Sequence, residues 1–374
     1  MKPARPPDEG DEWIGDASTG VKKGRGATSN QGGRFEPTRR VGFHDGWDSE
    51  ATDEESRVDT IVTTEKTTTI IATNDSPDVP FDQSINPYKG CEHGCIYCFA
   101  RPTHAYLGLS PGLDFETRIT AKPEAAAALR KELAKPSYQC RVMAMGTNTD
   151  PYQPTEKKLG ITRAILEVLA EHDHPVGIVT KNAGILRDLD ILAPMAKKRL
   201  ATVMLSITSL DPELASVMEP RASRPARRLH AIEQLTAAGV PCGVLASPMI
   251  PAINDGELEK ILEAAYAAGA RHAGWILVRL PLEIKHLFEE WLRAHFPDRA
   301  ERVLDLIKQT RGGKLYDSTW GTRMSGTGPY AALIDKRFDV ACARLGFDAT
   351  ERFPLDTTQF KKPAKDPRQL PLFP

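Results

Sequence analysis

The chain has 374 residues, and its 49 Lys and Arg residues nearly balance 50 Asp and Glu residues, leaving a formal charge of −1. This balance excludes a globally basic nucleic-acid coat protein and a strongly acidic chain, so only local patches can carry electrostatic function. A composition of 40% hydrophobic and 26% charged residues is typical of a soluble globular protein with a large core. No stretch approaches the roughly 20 apolar residues of a membrane span, and no apolar signal region is present. These features predict a cytoplasmic protein without membrane contact.

Residues 1–58 contain Gly, Pro, Ser, Thr and both charges but little apolar periodicity, which predicts a disordered arm. Its middle part is locally basic, with one acid, Glu36, among these residues: Lys22, Lys23, Arg25, Arg34, Arg39 and Arg40. A solvated tail and a nucleic-acid-contacting arm are both compatible with this pattern.

Short apolar runs then alternate with amphipathic stretches. The runs predict strands over 142–146, 176–180, 202–207, 240–246 and 274–280. The stretches between them predict helices over 123–133, 155–171, 183–198, 224–238, 256–268 and 283–294. The runs lack strict alternation and are rich in Val, Ile, Met and Ala, as expected for parallel strands covered on both faces.

This recurrence predicts an α/β fold. With a first strand just before Cys91, about six βα units follow one another, which favours a single wound or barrel-like domain. We expect that domain over 59–285, a helical extension over 286–350 and a flexible tail over 351–374.

Three of the six cysteines crowd into the segment NPYKGCEHGCIYCFARPTH, with the spacing C-x3-C-x2-C. In a reducing compartment such a group indicates metal binding before disulfide formation. Three thiolates can hold a [4Fe–4S] cluster and leave one iron open to an exogenous ligand. A structural zinc site needs four protein ligands, so His93 or His104 would have to complete it. Both alternatives remain open on spacing alone.

Cys91, Cys95 and Cys98, with Tyr97 before the third cysteine, resemble the signature of the radical S-adenosylmethionine superfamily. The resemblance extends over most of residues 84–280. It implies a partial (β/α)6 barrel whose open iron chelates S-adenosylmethionine, which one-electron reduction cleaves to methionine and a 5′-deoxyadenosyl radical. It also implies an electron donor such as flavodoxin or ferredoxin.

Within the superfamily, NPYKGCEHGCIYC and GTNTDPYQPTE are similar to the branch around spore photoproduct lyase. Members of that branch reverse a thymine dimer in DNA, with a cysteine near the end of the second strand implicated as hydrogen-atom donor. The present chain has Gly146, Thr147 and Asn148 there and no thiol. Asp150 and Tyr152 are the catalytic candidates that remain nearby.

The active site of such a barrel gathers at the carboxyl ends of its strands. Polar residues that follow the apolar runs are therefore candidates for cofactor binding, together with the aromatic residue of the cysteine motif: Tyr97, Asn148, Asp150, Lys181, Ser206, Thr208 and Arg221. Each could equally have an ordinary structural role, as a turn residue, a surface ion pair or a satisfied hydroxyl at a sheet end. Arg224, Arg227 and Arg228 could track phosphates or form a solvated helix face.

The chain ends in a short apolar peptide after a Lys- and Pro-rich stretch. Apolar side chains on such a tail are typical of a docking peptide. Gln369, Leu370, Leu372 and Phe373 resemble the bacterial sliding-clamp-binding motif, which implies recruitment to DNA.

The sequence therefore favours a lyase-like or transferase-like radical S-adenosylmethionine enzyme acting on nucleic acid, with DNA lesion repair as one possibility. Two alternatives stay open. The same chemistry could act on RNA, protein or a metabolite, or the chain could be a non-catalytic zinc or iron–sulfur module that tethers a partner.

Overall fold

The computed structural model describes residues 20–35, 58–347 and 354–363. Its strands are, in chain order, β1 (Ile61–Thr64), β2 (Ile71–Thr73), β3 (Gln83–Ile85), β4 (Tyr88–Lys89), β5 (Arg118–Ala121), β6 (Met143–Met145), β7 (Val176–Thr180), β8 (Ala201–Ser206), β9 (Cys242–Met249) and β10 (His272–Leu277). Its α-helices are, in chain order, α1 (Leu113–Thr117), α2 (Ala125–Leu133), α3 (Glu156–Leu159), α4 (Ile161–Glu171), α5 (Leu189–Lys197), α6 (Pro212–Met218), α7 (Pro225–Ala237), α8 (Leu258–Ala267), α9 (Ile284–His295), α10 (Ala300–Gln309) and α11 (Gly328–Leu345). Within the described ranges, no helix is both long and apolar enough to cross a lipid bilayer.

The central sheet has seven strands in the order β10-β9-β8-β7-β6-β3-β2. The pairings from β3 to β10 are all parallel, and β2 adds to β3 in the antiparallel direction. Six parallel strands with helical connections form the partial (β/α)6 barrel expected from the sequence, which confirms the fold class. A second, small sheet has the strand order β1-β5-β4. Its strand β4 directly follows β3, the first parallel strand of the central sheet.

Side-chain periodicity explains why the helices cover this sheet. Strand β7 presents Val176 and Ile178 to a buried core, and β8 presents Val203 and Leu205 in the same way. The connecting helices bury one face each, as expected for amphipathic helices on a parallel sheet. All strands of the parallel set therefore end on one side, which we call the carboxyl face.

Two of the predicted helices are interrupted. The predicted helix over 155–171 is divided into α3 and α4, because Gly160 adopts a φ of +65°. The predicted helix over 183–198 starts as a 3₁₀ turn, Ala183–Asp188, where the Asn182 side chain accepts a hydrogen bond from the Gly184 amide at 2.8 Å. Sequence periodicity did not reveal α6, which is only 7 residues long.

Residues 20–35 differ from the expectation of a disordered arm. They form an ordered segment, here called the strap, that lies against the cysteine motif and α1. The Gly26 and Ala27 amides donate to the Glu116 carboxylate at 2.9 and 2.8 Å, and Ala27 is fully buried. The strap is held by polar contacts, which explains why an apolar pattern did not indicate it.

Two of the basic residues of the strap are used internally. Arg25 donates to the Glu116 backbone carbonyl at 3.0 Å, and Arg34 forms an ion pair with Glu283 at 2.7 Å. Neither arginine is therefore a free contact for nucleic acid in this structure. Lys22 and Lys23 are also in the described strap, whereas Arg39 and Arg40 lie outside the described residues.

Part of the predicted flexible tail is also placed. Residues 354–363 lie at the amino ends of the strands, where the Phe360 ring packs edge-on against Tyr138 and His174. The Lys361 amide donates to the His172 carbonyl at 2.8 Å. The helices α9, α10 and α11 occupy most of the predicted helical extension.

The close approach between the strap and the cysteine loop generates a prediction. A Cβ added at Gly26 would lie 1.8 Å from the Gly94 carbonyl oxygen, so Gly26→Ala should detach the strap. We expect faster tryptic cleavage after Lys22, Lys23 and Arg25 and faster exchange of the Gly26 and Ala27 amides. Gly20→Ala is the matched control, since a Cβ there meets nothing within 4 Å. Equal cleavage rates in both variants would contradict the packing described.

Candidate active site

The three cysteines lie on a tight loop that follows β4 on the carboxyl face. Gly90 and Gly94 turn the chain with φ values of +79° and +66°, a conformation that favours glycine. An added Cβ at Gly94 would lie 2.7 Å from the Glu116 side chain. The loop is anchored by the Cys91 amide, which donates to Phe115 O at 2.9 Å, and by the Ile96 amide, which donates to Met218 O at 3.2 Å.

All three thiols of the loop are free and sheltered. Cys91 and Cys95 are buried, and Cys98 is partly exposed. Burial raises the pKa of each thiol, and the other cysteines raise the pKa of Cys91 further, so the three groups act on one another electrostatically. Thiolates are therefore disfavoured here without a cation, and a metal group would displace the protons on binding.

A buried arginine, Arg101, binds the backbone of the cysteine loop. The Arg101 guanidinium donates to Cys95 O at 2.9 Å and to Gly94 O at 3.0 Å, and it pairs with Glu116. Both charged side chains are fully buried. Because Glu116 also accepts the strap amides, one carboxylate connects the strap, the cysteine loop and α1.

The segment after β6 braces the same loop. Gln153 accepts from the Glu92 amide at 2.9 Å and donates to Gly90 O at 3.2 Å. The Glu92 carboxylate accepts from the Thr155 amide at 2.6 Å. The run GTNTDPYQPTE thus contains residues that position the cysteine loop, a role that the sequence did not indicate.

Asp150 lies where the carboxyl ends of β6 and β7 meet. Its carboxylate accepts from the Lys181 amide and the Thr180 hydroxyl, both at 2.7 Å, and His93 approaches it at 3.4 Å. Burial alone would raise the Asp150 pKa, but His93 and these hydrogen bonds hold it below its usual value. Asp150 is therefore a carboxylate that organises the loop end of β7.

A second buried carboxylate, Glu219, collects several of the predicted site residues. Lys181 Nζ lies 3.3 Å from Glu219 Oε1, and the Tyr97 and Thr208 hydroxyls both donate to the same oxygen. Arg228 pairs with the other oxygen. Lys181 also lies 5.6 Å from the centre of the Tyr97 ring. The cysteine loop, the ends of β7 and β8, and α7 therefore meet at one side chain.

The charges around Glu219 do not cancel. One carboxylate faces two cations, Lys181 and Arg228. Burial lowers the pKa of Lys181 to about 8 and raises that of Glu219, with Arg228 opposing the rise at the glutamate. The Lys181 side chain is 17% exposed. Lys181 shares Glu219 with Arg228 and is also stabilised by the charge of Asp150, so it is a partly balanced cation that can receive the carboxylate of a ligand.

Ser206 and Thr208 belong to the same network. Ser206 Oγ accepts from Lys181 Nζ and donates to Ser247 O at 3.0 Å, and the Thr208 hydroxyl donates to Glu219, so both hydroxyls are already satisfied by the chain. Arg221 pairs with Glu92 at 3.0 Å. The Asn148 side-chain amide makes no hydrogen bond within the described residues. The Asn148 backbone N–H donates to the Asn86 side chain at 3.1 Å.

Tyr152 points into a separate buried network. Its hydroxyl donates to Asp188 at 3.1 Å, and that carboxylate also pairs with Arg163 and Arg187. Burial raises the pKa of Tyr152 well above its usual value, and Asp188 raises it further. The structure does not bring Tyr152 into contact with the cysteine loop, whereas Asp150 lies beside it.

The remaining cysteines lie away from the loop. Cys140 precedes β6, and Cys242 opens β9 at its amino end. Cys342 is buried in α11. The sequence predicts all three as buried packing residues. Cys242 and Cys342 are buried, whereas Cys140 is partly exposed.

Arg228 corrects one expectation. The predicted solvated face of α7 does not include it, since its side chain is 1% exposed and pairs with Glu219. The sequence contained no local sign of this pair, because the two residues are nine positions apart across a turn. Arg224 and Arg227 are exposed at the start of α7.

The donor set agrees with a cluster better than with zinc. His93 uses both ring nitrogens within the chain, with Nδ1 3.4 Å from Asp150 and Nε2 3.2 Å from Asn182, so it has none left for a metal. His104 Nε2 lies 3.0 Å from Arg118 O, whereas its Nδ1 is buried without a partner in the described residues. In the described ranges, no three His, Cys, Asp or Glu side chains converge closely enough to surround one ion. A cluster of four irons is wider than one ion, so thiols spread along a loop suit it.

A partial parallel barrel with a three-thiol loop and an unbalanced lysine at its carboxyl face defines a cluster-dependent α/β enzyme. Comparison with known proteins identifies the family. The model of the Radical SAM superfamily matches residues 85–265, and the chain belongs to that superfamily. It is therefore an enzyme that uses a [4Fe–4S] cluster and S-adenosylmethionine and that needs an electron donor.

Relatives in other organisms carry no assigned activity. An uncharacterized protein of Mycobacterium tuberculosis is 38% identical over 233 residues, which cover 62% of this chain and 68% of that protein. An uncharacterized protein of Methanocaldococcus jannaschii is 26% identical over 219 residues, covering 59% of this chain and 78% of that protein.

Solved structures show the same fold. A spore photoproduct lyase variant superposes with a TM-score of 0.55 at 17% identity, covering 77% of this chain and 80% of that chain. Spore photoproduct lyase complexed with dinucleoside spore photoproduct gives a TM-score of 0.54 at 15% identity, covering 76% and 78%. At this identity the comparison establishes the architecture only.

The Glu219 network generates a stability prediction. Glu219→Gln leaves Arg228 and Lys181 without their buried counter-charge, and breaking such a pair typically costs about 3 kcal/mol or more. Denaturant unfolding should show this loss in the free energy of unfolding. Glu233→Gln on the exposed face of α7 is the control, with an expected change below about 0.5 kcal/mol. Equal losses would indicate that the Glu219 pair is not a stabilising connection.

Proposed function

We propose that this radical S-adenosylmethionine enzyme acts on nucleic acid, with a damaged DNA base as the first candidate substrate. The observation that carries the proposal is the carboxyl face itself, where the cysteine loop, Lys181 and the exposed arginines at the start of α7 lie together. The similarity in fold to spore photoproduct lyase, one structure of which contains a dinucleoside lesion, supports the choice of substrate class.

Different residues of the chain have different binding roles at this face. Cys91, Cys95 and Cys98 would hold the cluster, which would supply the electron for the reductive cleavage of S-adenosylmethionine. Lys181 receives the carboxylate of the cofactor, because Glu219 does not neutralise both of its neighbouring cations. Asp150 and the unbonded Asn148 side-chain amide lie in the same region, after the end of β6. They form hydrogen bonds with the polar atoms of a ligand.

Two exposed cations favour a polyanionic partner. Arg224 and Arg227 have no carboxylate partner among the described residues and begin α7, where the helix dipole disfavours positive side chains. The Ser223 amide beside them donates to Lys181 O at 3.2 Å, so they border the cofactor residues. An unfavourable placement of charge at the rim of an active site is explained by an anionic ligand such as a phosphate backbone.

The absence of a thiol from Gly146, Thr147 and Asn148 separates this chain from the thiol-dependent step attributed to the related branch. Asp150 stays a catalytic candidate because of its place beside the loop, and Tyr152 requires release from Asp188 before it can act. The six free cysteines suit a reducing compartment, so we also propose that the enzyme works in the cytoplasm.

Anaerobic reconstitution tests the proposal. We expect about four irons per chain and reductant-dependent 5′-deoxyadenosine, released faster with ultraviolet-irradiated DNA than with undamaged DNA or bulk RNA. Replacing Cys91, Cys95 and Cys98 together by alanine should abolish both iron binding and deoxyadenosine release, whereas Cys140→Ala should preserve them. Equal release with all three nucleic acids and with none would refute the nucleic-acid substrate, and stimulation by RNA alone would favour the RNA alternative.

Recruitment to DNA through the C-terminal peptide is a separate proposal. Gln369, Leu370, Leu372 and Phe373 lie outside the described residues, so the proposal depends on their sequence alone. Purified bacterial sliding clamp should retain the full chain in a pull-down, and deletion of the last six residues should abolish retention. Unchanged retention of the truncated chain would remove this idea.

A further inference from the structure

An arginine on the far side of the carboxyl face has no role in the site described so far. Arg279 follows β10 by two residues, at the same face as the cysteine loop. Its guanidinium carbon lies 5.0 Å from the centre of the Phe99 ring, and Phe99 directly follows the cluster ligand Cys98. The Phe99 side chain is 45% exposed, so this pair borders both the cluster loop and solvent.

The Arg279 charge has no carboxylate partner within the described residues. Its Nη1 atom contacts the Met324 thioether at 3.5 Å, and its Nε atom is buried without a hydrogen-bond partner in the part of the chain that the structure describes. A guanidinium offers five donors in a planar fork, and leaving a buried donor unsatisfied costs stability. The buried Nε of Arg311 also has no partner among the described residues, so these two atoms do not by themselves identify a ligand. Arg279 as a whole is partly exposed and its charge has no carboxylate there, so an acceptor that approaches from solvent accounts for the charge.

A second guanidinium lies close to Arg279. Arg311 donates to Val278 O and Arg323 O, each at 2.9 Å, and it has no ion pair among the described residues. Burial and, next, the charge of Arg279 together lower the Arg311 pKa to about 10, with weaker opposition from Tyr316 and Asp317. Two like charges thus adjoin each other beside an exposed aromatic ring, which creates a local field for an anion.

The other arginines near the loop show the contrast. Arg101 pairs with Glu116, and Arg221 pairs with Glu92. Arg228 pairs with Glu219. These three arginines therefore have acidic partners, whereas Arg279 has none among the described residues.

We infer that Arg279 binds a backbone phosphate of the nucleic-acid substrate while the neighbouring Phe99 ring stacks on an unstacked base. The planar fork of arginine matches the geometry of phosphate oxygens, and exposed aromatic rings stack bases of any sequence. The inference deepens the proposed function and rests on it, because it names the chemical group by which the substrate is held. Arg311 contributes to the field but is occupied by backbone carbonyls.

The anaerobically reconstituted full chain, without S-adenosylmethionine, allows a direct binding test. Fluorescence anisotropy with a labelled single-stranded DNA oligonucleotide measures affinity as a function of salt. Arg279→Gln should weaken binding about tenfold and reduce the slope of log affinity against log salt by about 0.7, the value for one lost phosphate contact on a single strand. Arg279→Lys should restore the slope more than the affinity, since lysine keeps the charge but not the fork.

Arg271→Gln is the matched control. Arg271 precedes β10 at its opposite end, and its guanidinium carbon lies 4.4 Å from the centre of the Tyr266 ring. The substitution removes the same charge and the same kind of ring contact on the face remote from the cysteines. Binding and salt slope should match the wild type.

The outcomes separate the two levels of the proposal. If wild-type protein binds the oligonucleotide and Arg279→Gln binds it equally well, or if Arg271→Gln weakens binding as much, the role of Arg279 is refuted and the nucleic-acid function stands. If wild-type protein binds no oligonucleotide, the nucleic-acid substrate fails and this inference with it. The iron content of the same samples, and the 5′-deoxyadenosine that they release without nucleic acid once S-adenosylmethionine and reductant are added, show whether the radical chemistry survives either result.

Discussion

The buried carboxylate of Glu219 is the constraint on which the cofactor side of the barrel depends. A charge removed from water needs partners that replace its hydration, and Glu219 takes them from several parts of the chain. Arg228 comes from α7, Lys181 from the end of β7 and Tyr97 from the cysteine loop. None of these elements can shift without leaving a charge or a hydroxyl unsatisfied. The geometry of the candidate active site is thus fixed by an ionic requirement more than by apolar packing.

The same principle holds the cysteine loop from its other side. The cysteine loop packs Ile96 and Tyr97 into an apolar cluster, while its backbone carbonyls are held by Arg101, whose charge is balanced by Glu116. Glu116 also binds two amides of the strap. The polar strap thus serves as a cover for the loop without competing for its thiols. Two buried arginine–carboxylate pairs, one on each side, frame the site.

The predictable parts of the structure are those with a local or periodic signature. The parallel strands and most helices followed from apolar runs such as 176–180, and the cysteine spacing indicated a cluster because three thiols within eight residues are typical of metal binding. Glu219, Glu116 and the strap had no such signature. Their partners are distant in sequence, as with Gly26 and Glu116, and a single carboxylate looks the same in sequence whether it faces solvent or a buried guanidinium.

At the carboxyl face, the extent of charge pairing also differs between the lysine proposed to bind the cofactor and the arginine proposed to bind the substrate. Residues that build the scaffold pair their charges completely, as Arg101 does with Glu116. Lys181, which we propose binds the cofactor, is partly balanced by a carboxylate that it shares with Arg228. Arg279, at the end of β10, is the extreme of this series, with a ring and a thioether in place of an acid. Because an unpaired cation is costly to retain in a folded protein, the roles proposed for Lys181 and Arg279 each supply the missing partner from a ligand.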